Sequence, residues 1–141
     1  MNEKIEVAIV KTADIEPLQE QLKYLYKEAG WWSEDDDTDP DLISKIIQGS
    51  FCFAVASIND KLIGMGRTIS DGVSDAYIQD VVVLGELRGR GIGVLIMDEL
   101  IKYLKNRNIN WISLVSEPKA VSFYQKYGFS QMADYVPFNL K

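Results

Sequence analysis

The run Arg88-Gly89-Arg90-Gly91-Ile92-Gly93 joins an apolar, strand-like stretch at 77–83 to a helix-like stretch at 94–104. A strand that leads through glycines into a helix presents bare backbone N–H groups to an anion. The first N–H groups of a helix lack intrahelical partners and carry the positive end of its dipole. Glycines let a phosphate reach those groups with no side chain in the way. Arg88 and Arg90 add fixed positive charge to a chain whose formal net charge is −6. The chemistry open to these residues is the holding of a phosphate or pyrophosphate.

Spacing narrows the ligand. A P-loop ends in Gly-Lys followed by Ser or Thr, and this chain has no Gly-Lys pair. The dinucleotide fingerprint is G-x-G-x-x-G near the start of a parallel-sheet domain. Gly89, Gly91 and Gly93 give G-x-G-x-G instead, after a long stretch that reads as antiparallel hairpins. Glu117, beyond the next strand, stands loosely where a ribose-binding acid would, so a nucleotide-binding reading stays open. The pattern that fits without gaps is R/Q-x-x-G-x-G/A, met by Arg88, Gly91 and Gly93. It resembles the pyrophosphate loop of the GCN5-related N-acetyltransferase (GNAT) superfamily. After the helix and an apolar strand at 111–115 comes Glu117-Pro-Lys-Ala-Val-Ser-Phe-Tyr-Gln-Lys-Tyr-Gly-Phe129. That segment is similar to the family's closing motif, roughly N-P-x-A-x-x-F-Y-x-x-x-G-F. The resemblance spans residues 58–129 and departs from the pattern at Glu117, where the family usually has Asn.

The resemblance implies acetyl-CoA as cosubstrate, no metal, and transfer of an acetyl group to a primary amine by direct attack on the thioester. It places the pyrophosphate on Arg88, Gly89, Arg90, Gly91, Ile92, Gly93 and Val94. It lays the pantetheine arm along the backbone of Val81, Val82 and Val83, with a splayed N–H there polarising the acetyl carbonyl. Tyr124 matches the tyrosine that points at the coenzyme sulfur and acts as general acid. On packing grounds alone Tyr124 is a core aromatic in the cluster Phe123, Tyr124, Tyr127 and Phe129. An alkyl amine is mostly protonated at neutral pH, so its proton must leave before attack. Asp80, in an otherwise apolar strand, is the candidate base, with Asp71, Asp75 and Glu86 as rivals. A carboxylate desolvated in such a strand becomes a stronger base. Ordered water is the alternative, and strand alternation puts Asp80 on the face opposite Gln79 and Val81.

Composition sets outer bounds. The chain has 141 residues, enough for one domain with a real core, read here as a single domain over 1–141. No stretch approaches the ~18 apolar residues of a membrane helix, and residues 1–7 lack a signal peptide's apolar centre. One cysteine, Cys52, excludes an internal disulfide and suits a cytoplasmic setting; its apolar strand reads as core. The absence of histidine removes Ser-His and Cys-His nucleophiles and the usual zinc sites. The acidic balance argues against nucleic acid and suits a cationic, small-molecule amine. Trp31, Trp32 and the acidic run 34–39 fall where the family walls its acceptor site. A solvated acidic loop is the simpler account of that run. A protein or peptide α-amine, or an acyl-CoA-binding module without turnover, are the competing functions. Homodimerisation is common in the family, and no surface stripe here decides it.

These residues need a frame. Ile5, Val7 and Ile9 give a strand over 4–10, and Asp14 caps a helix running to Glu28, stopped by Gly30. A second helix spans 41–48. Strands follow at 51–58 and 61–69, turning at Asn59-Asp60, and another at 77–83 after Asp71-Gly72. In the helix after the glycine loop, Ile92, Leu95, Ile96, Leu100, Tyr103 and Leu104 form the apolar stripe. The tail returns as a strand or two through Val136 and Phe138. The expected fold is α/β (α+β), a mixed, mostly antiparallel sheet of about six or seven strands flanked by about four helices.

Overall fold

Alternation of Ile5, Val7 and Ile9 with Glu6 and Ala8 builds the outer strand β1 (Ile5–Ile9) in the computed structural model, which describes residues 4–141. A single 3-10 turn, Thr12–Asp14, follows, and Asp14 closes it by accepting the Lys11 N–H at 3.1 Å. Then come α1 (Ile15–Glu28), α2 (Leu42–Gly49), β2 (Cys52–Ile58), β3 (Lys61–Ser70) and β4 (Asp75–Val83). The chain continues through α3 (Ile92–Lys105), β5 (Trp111–Leu114) and α4 (Val121–Tyr127). The sheet order is β1-β2-β3-β4-β5; the first four strands are antiparallel and β5 is parallel to β4.

Asn59 and Asp60 both take left-handed φ, +51° and +65°, between the paired residues Ile58 and Lys61. That is a two-residue type I′ turn, whose twist matches the strands that it joins. β2 and β3 are buried on both faces, with α3 packed across β1 to β4 and α1 packed on β3 and α2. Phe53, Met65, Leu22, Leu25, Ile96 and Leu100 form the fully buried centre. Cys52 lies in this core with Sγ 3.1 Å from Thr68 Oγ1, and burial pushes its thiol up.

Two expectations change. The sheet has five strands among the described residues, not six or seven, because the tail through Val136 and Phe138 forms no strand. Pro137 sits between those residues without a backbone donor and interrupts any ladder there. In α3, Leu95 is 40% exposed and Met97 is fully buried in its stead, completing the face of Ile92, Ile96, Leu100 and Leu104.

Close approach of α3 to the sheet depends on Gly64 and Gly66. A Cβ on Gly66 would meet Ile96 Cγ2 at 3.0 Å, Leu100 Cδ1 at 3.1 Å and Val81 Cγ2 at 3.1 Å. Valine favours strands, but that preference spans only ~1 kcal/mol. Overpacking costs about 1–3 kcal/mol and wins. Gly66→Val is therefore expected to lower the urea midpoint with an unchanged slope; a midpoint at or above wild type would show that α3 is not held this close.

Candidate active site

β4 and β5 pair only from Asp75–Trp111 to Ile78–Leu114. Beyond that point β5 has ended, while β4 runs on to Val83 and stays paired on its other side, Met65 with Val82 and Gly64 with Val83. One backbone edge of β4 is thus left facing open space where two parallel strands diverge, the position at which α/β sheets bind ligands. The divergence is reinforced by a bulge. Arg67 pairs with Gln79 and Met65 with Val82, so Asp80 and Val81 together oppose Gly66 alone. Asp80 takes φ +56°, the left-handed region that bulged strands use to turn a backbone out of line.

A cleft of about 540 Å³ occupies the gap. Asp80, Val81, Val82, Val83, Arg88, Gly89, Gly91, Ile92, Gly93, Val94 and Tyr124 all line it, and Arg90 does not. Gly89 and Gly91 have φ of +84° and +79°, and a Cβ at either would meet nothing within 4 Å. The space above them is free for a ligand. The first intrahelical bond of α3 runs from Leu95 N to Gly91 O at 3.2 Å, so the N–H groups of the preceding residues have no acceptor within the helix. Gly93 has a different reason for being glycine: a Cβ there would press on the Phe123 ring at 3.1 Å, so it seats α4 against the start of α3. Arg88 Nε donates to Val83 O at 3.3 Å, tying the loop to the strand.

Tyr124 reaches the opposite wall from α4, its ring edge-on to Phe123 and Phe129. Burial, and then the nearby charge of Glu117, push its phenol above the ordinary tyrosine range. It is a protonated hydroxyl at neutral pH. Asp80 is held in place: Oδ2 accepts from Tyr26 O–H at 2.8 Å and from Arg67 Nε at 2.6 Å. Tyr26 in turn is driven up by burial and by Asp80. Among the rivals, Asp71 is locked in its turn by the Val73 and Ser74 N–H groups at 2.9 Å, and Asp71, Asp75 and Glu86 lie outside the cleft lining.

Of the residues expected to wall an acceptor site, only one lines the cleft, and the acidic run fits the solvated-loop account. Trp31 lines the cleft, but Trp32 and the run 34–39 do not. Their groups serve the loop itself, with Trp32 Nε1 on Asp37 at 3.1 Å, Lys23 on Asp37 at 2.7 Å and Lys45 on Asp39 at 2.7 Å. Glu117, the departure from the closing motif, lies beside Trp31 in the cleft lining, accepting the Trp31 Nε1–H at 3.0 Å and facing Lys119 at 3.4 Å. Tyr26 and Arg67 were also missed. Arg67 left a trace, as the one charge inside the apolar strand 62–69, matched by Asp80 on the next strand; Tyr26 was indistinguishable from its helix's apolar face.

Comparison with known proteins bears on this geometry. The uncharacterized N-acetyltransferase ycf52 of Pyropia yezoensis is 41% identical over 76 residues, 54% of this chain and 44% of that protein. Serotonin N-acetyltransferase 2 of Oryza sativa subsp. japonica is 35% identical over 72 residues, 51% of this chain and 36% of that protein. This chain spans less than half the length of these relatives. A crystal structure of a probable acetyltransferase of unknown function, SA2161 from meticillin-resistant Staphylococcus aureus, superposes with a TM-score of 0.80 at 29% identity, covering 98% of this chain and 99% of that one. The sequence model described as "Acetyltransferase (GNAT) domain" matches residues 19–139. With that match over most of its length, the chain belongs to the GNAT acetyltransferase family.

Proposed function

We propose that the protein transfers an acetyl group from acetyl-CoA to a primary amine, that of a small molecule. The observation that carries this reading is the unpaired edge of β4 running straight into the glycine-fronted N-terminus of α3 within one cleft. An extended pantetheine arm pairs with Val81–Val83 as a strand would. The N–H groups of Gly91, Ile92, Gly93 and Val94 hold the pyrophosphate at the positive end of the helix dipole, and Arg88 adds charge. The open space over Gly89 and Gly91 fits that group.

The bulge at Asp80 and Val81 turns a backbone N–H toward the acetyl carbonyl, where such a donor is worth ~3 kcal/mol as negative charge develops on oxygen. Tyr124 returns a proton to the departing sulfur. Metal assistance has no part in this scheme. The small acceptor is favoured by the bond between Trp31 and Glu117, which joins the segment after α1 to the turn before α4 within the cleft lining. The similarity to a relative named as a serotonin N-acetyltransferase supports an arylalkylamine.

The test is CoA release from acetyl-CoA, with mass spectrometry of products, across arylalkylamines, polyamines, amino acids and N-terminal peptides. Turnover with one of the first two classes is expected. Turnover with peptides alone would replace the small-molecule reading, and acetyl-CoA binding without turnover would reduce the protein to a coenzyme-binding module.

A further inference from the structure

Only two carboxylates line the cleft among the described residues, Asp80 and Glu117, and they are not equivalent. Asp80 Oδ2 is already taken by two donors, and its side chain is 23% exposed. Glu117 is 44% exposed, its partners are the Trp31 indole N–H and a rim lysine, and its charge acts on Tyr124. An exposed ion pair such as Glu117–Lys119 holds little energy, and an incoming cation can displace it. Trp31 lines the same cleft and brings an aromatic ring beside the carboxylate, so the pair offers what a primary ammonium with an aryl or alkyl body needs.

We infer that Trp31 and Glu117 form the acceptor's ammonium site, and that Glu117, not Asp80, carries the amine's proton away. The inference rests on the acetyl-transfer reading above. The ammonium gives one proton to the Glu117 carboxylate, which passes it to solvent. The freed lone pair forms the C–N bond at the acetyl carbon, the C–S bond breaks, and sulfur takes the Tyr124 proton. The nitrogen gives up its second proton as it becomes an amide, and that proton restores Tyr124 through solvent. With the proton passed on by Glu117, the net reaction releases one proton per acetyl transferred. The titratable and charged groups facing Glu117 are Lys119 on its own turn and Tyr124 on α4. The Trp31 bond, then Lys119, hold the Glu117 carboxyl below the usual carboxylate range. It is therefore ionised throughout the neutral range and charged to pair with an ammonium.

The test compares wild type, Glu117→Gln and Trp31→Phe, each first shown to melt as wild type does. Phenethylamine, tryptamine and spermidine serve as acceptors, with binding by calorimetry in the presence of CoA and kinetics from pH 4 to 9. Between the carboxylate and amine pKa values the wild-type kcat/KM for amine is flat, because one proton lost by Glu117 balances one held by the amine. Glu117→Gln accepts only amine that is already neutral, so its kcat/KM climbs about tenfold per pH unit and converges on wild type at alkaline pH. Amine binding weakens about tenfold, while the KM for acetyl-CoA stays put. Trp31→Phe keeps the ring but loses the indole N–H, which moves the acid limb of the profile upward.

A flat profile and unaltered amine binding in Glu117→Gln would overturn the inference and return the base to Asp80 or water. Glu117-dependent amine binding without turnover in wild type would sink the acetyl-transfer reading but keep the ammonium site. Neither binding nor turnover would sink both.

Discussion

Gly91→Glu is expected to leave a folded protein that no longer binds acetyl-CoA. Gly91 is the N-cap of α3 at φ +79°, and its missing Cβ faces open space. Any side chain there costs about 1–2 kcal/mol of left-handed strain, which lowers the melting temperature without abolishing the fold. The carboxylate does the larger damage. It sits at the positive end of the helix and occupies the place that the pyrophosphate needs. Two unit charges 4 Å apart repel by about 4 kcal/mol at an effective dielectric of 20, roughly a thousandfold in affinity. Gly91→Ala separates the two causes, since it has the strain without the charge and should lose far less. Arg88→Ala should weaken binding gently and mostly at low salt, as a partly exposed charge does. The measurement is the acetyl-CoA-induced rise in melting temperature for all three variants. An undiminished rise in Gly91→Glu would place the coenzyme elsewhere.

That prediction rests on residues legible in the chain itself, for a physical reason. Strand, glycine loop and helix are consecutive, so the backbone proposed to hold the anion is specified by local sequence, and the periods of 2 and 3.6 located β2, β3, β4 and α3 to within a residue or two. What stayed hidden depends on side chains that meet across the fold. Tyr26 reaches Asp80 over 54 positions and Trp31 reaches Glu117 over 86, and no local pattern encodes either. The bulge opposite Gly66 interrupts the two-residue period at Asp80, so alternation alone does not fix the side that it faces. The acidic run 34–39 left a substrate wall and a solvated loop both open, because composition shows charge but not the lysines that meet it. The tail read as strand because Val136 and Phe138 have strand propensity, which the intervening Pro137 overrides.

The second large effect is expected at Tyr124. Tyr124→Phe keeps the ring contacts with Phe123 and Phe129 and removes only the hydroxyl, so coenzyme affinity and stability should hold while kcat falls by about 10²-fold, the lower end of what a positioned general acid contributes. The lower end is the right one, because a thiol with pKa near 8.5 is a tolerable leaving group without help. The sign of the pH effect follows from the raised phenol. A group whose pKa is shifted up stays protonated through neutral pH, so the donor is fully present there and is lost only as pH rises through the shifted value. Burial and the Glu117 charge place that loss above the ordinary tyrosine range. Wild-type kcat should therefore hold through mildly alkaline pH and fall beyond it, and Tyr124→Phe should lack that alkaline limb. Glu117→Gln removes the negative neighbour and should bring the limb down in pH. An unchanged kcat in Tyr124→Phe would mean that sulfur departs as the thiolate, and that Tyr124 belongs to the wall of the cleft and not to its chemistry.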